Sequence, residues 1–67
     1  MDIRWAVDNA DARNDEWPIP PVVTMLLGPS ENNEDYLEIG IYYMPSGKPI
    51  VIHAMSACGA TIRRMQT

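Results

Sequence analysis

His53 is the one histidine of the chain, and histidine is the side chain whose ordinary pKa lies near neutrality. At the end of an apolar run it suits a general acid or base. A half-buried strand residue hydrogen-bonded to a neighbouring backbone group is the plainer reading. Arg63 and Arg64 follow ten and eleven residues later. A guanidinium offers a rigid fork matched to phosphate oxygens, so the pair could steady a phosphate. The bland reading makes them a solvated helix end that complements the helix dipole.

Other chemistry-bearing residues are less pointed. Glu38 shares an alternating face with Tyr36 and Tyr42, where it reads as a proton acceptor or as solvent-facing charge on a one-sided sheet. Cys58 stands beside Gly59 near a helix start, where thiolates are favoured. It has no His or Asp at motif spacing, so a small buried residue is the simpler expectation. Gly28-Pro29-Ser30 lacks the second glycine and the Lys-Ser/Thr pair of a phosphate loop. Trp5 and Trp17 read as caps on a thin core. A structural zinc site needs four nitrogen or sulfur ligands, and Cys58 with His53 supplies two. No cofactor or metal is expected.

Size and charge narrow the field. A chain of 67 residues holds one domain, 1–67, and buries only about 60% of its unfolded surface. A lone cysteine cannot form an internal disulfide. Oligomerisation is then the remaining support for the thin core of a chain that is 46% apolar. The net charge of −4 excludes a broad nucleic-acid footprint, which needs a basic face, and with it DNA binding through this chain alone. Acidic residues gather before Glu38, and Arg63-Arg64 leaves a local basic spot. No apolar run has the length of a membrane span, and Met-Asp-Ile-Arg-Trp lacks the order of a signal peptide. A reducing cytoplasm is the expected location.

The elements that must position these residues follow from periodicity. Ile3, Val7 and Ala10 recur at helical spacing, so a helix is predicted over 2–13 with Asp2 as N-cap. Glu16 to Pro21 is a proline-rich extended link. Val22 to Leu27 is a strand apolar enough to be central. Ser30 to Asp35 is a polar turn in which Asn32-Asn33 suits positive φ. Tyr36 to Met44 alternates, with Leu37, Ile39, Ile41 and Tyr43 on one face. Pro45-Ser46-Gly47-Lys48 turns the chain into a strand over 50–55. There Ile50, Ile52 and Ala54 oppose Val51, His53 and Met55. A short C-terminal helix begins at Ser56. The expected fold class is α+β: an N-terminal helix packed on a three-stranded antiparallel β-meander.

Three segments carry a family likeness. Met25-Leu26-Leu27-Gly28-Pro29, Tyr36-Leu37-Glu38-Ile39-Gly40 and Val51-Ile52-His53-Ala54-Met55 resemble the BrnT-like branch of the RelE superfamily of type II toxins. Trp5 to Ala10 is similar to the family's second helix, so the resemblance runs from about Ile3 to Met55 and describes an N-terminally shortened member. It implies a compact α+β fold and a toxin–antitoxin setting, with an antitoxin protein as partner. It also implies metal-independent RNA cleavage, with His53 as acid or base and Arg63 and Arg64 at the phosphate. Where the family continues its His-Ala-Met triplet with proline and a basic run, this chain has Ser56-Ala57-Cys58-Gly59. That departure and the net charge imply weak or lost activity. A non-catalytic dimerisation or protein-interaction module, binding a second copy of itself through open sheet edges, is the alternative.

Overall fold

The computed structural model describes residues 2–17, 22–32 and 34–65. Helix α1 (Ile3–Asp8) is followed by strands β1 (Ala12–Trp17), β2 (Val23–Pro29), β3 (Tyr36–Tyr43) and β4 (Pro49–Ser56), then helix α2 (Gly59–Met65). The fold class is α+β, but the sheet has four antiparallel strands in the order β1-β2-β3-β4. The three-stranded expectation is corrected by β1: α1 stops at Asp8, and β1 takes the last two residues of the predicted helix 2–13 and runs on to Trp17.

Local chemistry accounts for that correction. Asp2 caps α1 by accepting from the Trp5 N–H at 3.0 Å. Asn9 ends it, donating its backbone N–H and side-chain amide to the Trp5 carbonyl. Beyond it, Ala-Arg-Asn-Asp-Glu-Trp pairs with β2 along one edge. An edge strand so polar shows no alternation of apolar residues, so only the alanines spoke, and they spoke for helix. The predicted link 16–21 is corrected at its start, where Glu16 and Trp17 end β1; its Pro18, Pro20 and Pro21 lie outside the described residues, as does Asn33 of the predicted turn.

β2 is central, as its composition suggests, and is buried from Val23 to Gly28. Neighbouring residues on it serve opposite faces. One face carries Leu26, Leu37, Ile39 and Ile41 under Ala6 of α1. The other carries Val23 and Met25 with Trp17, against Met65 of α2. Gly28 permits the first packing: a Cβ there would stand 2.1 Å from the Ala6 carbonyl oxygen. Gly47, at φ 90°, closes the β3–β4 hairpin, where its N–H donates to the Met44 carbonyl at 2.7 Å.

Two irregularities re-aim side chains. Near the turn Tyr42 faces Ile50 and Ile41 faces Val51, but the next pair is Gly40 with His53. Ile52 is the extra residue of a bulge. An unbroken ladder would set His53 opposite Ile39, beneath α1. The bulge carries it to the face of Glu38 and Gly40 instead. It likewise separates Val51 from His53, correcting the expected faces of β4. In β1, a shift between Asn14 and Trp17 brings Trp17 opposite Val23, on the face that α2 covers.

Candidate functional site

The bulged strand places His53 diagonally across from Glu38, and the two side chains meet. His53 Nε2 lies 2.9 Å from Glu38 Oε2. Glu38 is buried, not the solvent-facing charge its alternation suggested. Its other oxygen accepts from the backbone N–H of Cys58 at 3.0 Å. Gly40 makes room beside the pair, since a Cβ there would lie 3.2 Å from the His53 Cβ.

The start of α2 completes the arrangement. Cys58, not Ser56, precedes the helix, and its carbonyl accepts from the Ile62 N–H. Ser56 is the last residue of β4. Cys58 Sγ lies 3.2 Å from the buried Thr61 hydroxyl. The thiol is exposed, contrary to the buried residue expected. Every buried side-chain polar atom among the described residues has a partner, so the cluster is internally satisfied.

Electrostatics agree with this geometry. Burial pushes the Glu38 carboxyl up. The Cys58 N–H, the imidazole and the Thr61 hydroxyl together outweigh burial and hold it below its usual range. The Thr61 hydroxyl and backbone N–H draw the Cys58 thiol down, against burial and the Glu38 charge. A neutral imidazole that donates Nε2–H to this carboxylate keeps its lone pair on Nδ1. His53 is half-buried, so a fixed ring retains access to solvent. A carboxylate-oriented imidazole is the arrangement a general base needs.

The two arginines part company. Arg63 folds back along α2 until Nη1 is 3.2 Å from where a Cβ on Gly59 would sit, one residue from Cys58. Arg64 lies over the Trp17 ring, 4.9 Å from its centroid. Trp17 and His53 stand on opposite edge strands, three strand spacings or about 14 Å apart across the sheet. His53 and Arg63 therefore approach one turn of backbone, and Arg64 is held elsewhere.

Sequence reasoning missed Glu38 as the partner of His53, and missed Thr61 altogether. Counting the hairpin outward from its turn pairs His53 with Ile39, and only the bulge brings the carboxylate within reach. On the opposite face a cavity of about 510 Å³ is lined by Asp2, Glu31, Asp35 and neighbours. Its acidic lining offers nothing to a phosphate. Among the described residues no group of three or more His, Cys, Asp or Glu is arranged to hold a metal ion, and no helix is long and apolar enough to cross a membrane. Comparison of the chain with protein-family models, curated proteins and solved structures gives no match.

Proposed function

We propose that this chain is a toxin-like protein of a type II toxin–antitoxin system whose chemistry is weak, metal-independent RNA cleavage. The observation that carries the reading is the Glu38–His53 pair: a half-exposed imidazole held at 2.9 Å by a buried carboxylate. His53 takes the proton of a ribose 2′-hydroxyl on Nδ1 as that oxygen attacks the adjacent phosphorus. The 5′-oxygen leaves with a proton from a solvent water, whose hydroxide the His53 imidazolium then neutralises, giving a cyclic phosphate and a free 5′-hydroxyl. Arg63 steadies the phosphate charge, and Arg64 contributes from the Trp17 side only to a longer RNA.

The distribution of charge along the chain supports the same reading. After Glu38 the sequence holds no acidic residue, only Lys48, Arg63 and Arg64 as charges. Three cations are few, and counterion release scales with phosphates neutralised, so binding is weak and salt-sensitive. The test is expression in cells with and without the product of the neighbouring gene, alongside cleavage of RNA by the purified protein. Growth arrest relieved by the neighbour, and cleavage lost in His53→Ala with its circular dichroism unchanged, are the expected results. A folded protein that cleaves no RNA and arrests no growth overturns the reading.

A second reading is favoured by a different observation. β4 is an edge strand whose Ile50, Val51 and Ile52 are all exposed. A non-catalytic protein-interaction module would use that edge for strand addition, with His53 serving only to fasten β4 to Glu38.

A further inference from the structure

The two edges of the sheet are built differently. β1, at one edge, carries Arg13, Asp15 and Glu16, with Arg13 and Asp15 paired at 2.7 Å. Charges on an edge strand discourage another chain from pairing with it. β4, at the other edge, reads Pro-Ile-Val-Ile-His-Ala-Met-Ser and has no acidic or lysine/arginine side chain. The bulge at Ile52 interrupts its ladder, and Pro49 at its start has no N–H to offer, but neither adds charge.

Neither helix covers this edge. α1 packs over β2 and β3, and the body of α2 lies toward β1. Val51 on one face and Ile50 and Met55 on the other remain 39–47% exposed, and Ile52 at the bulge is 50% exposed. Tyr43 and Met44 extend the apolar strip to the hairpin end. A continuous uncharged strip along an open strand is the signature of a surface made to be covered.

From this placement we infer that β4 pairs antiparallel with β4 of a second copy, making one continuous eight-stranded sheet. The inference deepens the second reading above and rests on β4 being an interaction edge; it does not depend on RNA cleavage. Self-complementarity selects the occupant. A two-fold axis normal to the sheet near Val51 or Ile52 sets Ile50, Val51 and Ile52 against the same residues of the other copy. Like meets like without a buried charge. An acidic or basic partner finds no opposite charge on β4 itself. The acidic residues all lie at or before Glu38, and Glu38, one strand inward, is buried against His53. The net charge of −4 per copy is therefore carried largely away from the joint. The same axis puts both Glu38–His53 pairs on one side of the joined sheet, still open to solvent.

Sedimentation velocity of the full chain over a hundredfold range of concentration tests this, with hydrogen exchange on the same samples. A species of twice the chain mass is expected, with β4 amides gaining protection as concentration rises while β1 amides do not. Ile52→Lys should shift the association midpoint at least tenfold upward, and Glu16→Lys on the far edge should leave it in place. If Ile52→Lys fails to fold, the concentration dependence of β4 exchange in the unaltered chain decides alone. A monomer at every concentration overturns the pairing, as does a dimer whose β4 amides exchange freely. Capture of the neighbouring gene's product by a monomer, lost in Ile52→Lys, overturns the second copy as occupant yet upholds β4 as an interaction edge. Capture unaffected by that change removes both.

Discussion

Glu38 sits where three donors converge, and its contribution can be weighed against burial alone. A carboxylate moved out of water without partners shifts upward and neutralises. Here the Cys58 N–H, His53 and Thr61 reverse that, and the carboxyl titrates below its ordinary value. The sign follows directly. A carboxyl depressed in the folded state adds stability that is fully present above the unfolded value of about 4.3. That stability drains away as pH falls through the depressed folded value. Melting temperature measured against pH should therefore drop below about pH 4.3, with a shallower drop in Glu38→Gln. Some slope will remain, because the Asp2 and Asp15 carboxyls are also held low. Gln keeps an oxygen for the Cys58 N–H and a donor for the imidazole. Ala keeps neither, so Glu38→Ala should cost about 1–3 kcal/mol at neutral pH. A Glu38→Ala variant as stable as the parent in urea would show the cluster to be ornamental.

At the scale of elements, what could be read from the sequence depended on how much each segment announced itself through apolar spacing. β2 and β3 were legible because burial on both faces, or clean alternation, is written into Val23–Leu27 and Leu37–Ile41. The Asp2 cap was legible for the same local reason. β1 was not: a polar edge strand derives its identity from the neighbour it pairs with. The bulge at Ile52 left no mark either, since nothing in Ile-Val-Ile-His says which residue the ladder will skip. That is why His53 could be picked out while its carboxylate partner could not. Gly28 shows a tertiary demand hidden in a residue that reads as a strand stop. β2 runs on through it to Pro29, and α1 lies so close that a Cβ would enter the Ala6 carbonyl, carbon at 2.8 Å and oxygen at 2.1 Å. Both obstacles are backbone, so rotamer changes cannot relieve them. Gly28→Ala should lift α1 off the sheet at a cost of about 3 kcal/mol. Loss of far-ultraviolet helical signal ahead of the main urea transition would report it, and a single unshifted transition would contradict it.

The molecule as a whole is a sheet with a small apolar cluster on each side, and neither cluster is large enough to stand alone. A domain of 67 residues has a total stability of about 3–10 kcal/mol at typical values per residue. β2 and β3 join the two clusters, because adjacent residues on each strand point into different ones. Met25 and Leu26 divide this way on β2. On β3, Ile39 lies fully buried under α1 while Glu38 and Gly40 serve the α2 side. Damage to one cluster should therefore not stay local. Ile39 has no measurable exposure, and its truncation to Ala typically costs 2–5 kcal/mol through lost transfer energy and an unfilled cavity. That range overlaps the whole stability expected of the domain. Ile39→Ala should be largely unfolded at 37 °C, and Ile39→Val, at about 1 kcal/mol, should remain folded with a lower urea midpoint. Trp17, in the opposite cluster, reports whether the faces are coupled. With Trp5 replaced by Phe, so that Trp17 is the one tryptophan left, its fluorescence should change in the same urea transition as the circular dichroism of the sheet. A Trp17 signal that survives in Ile39→Ala would mean that the α2 face folds by itself. The central strands would then be supports for two separate structures rather than the link between them.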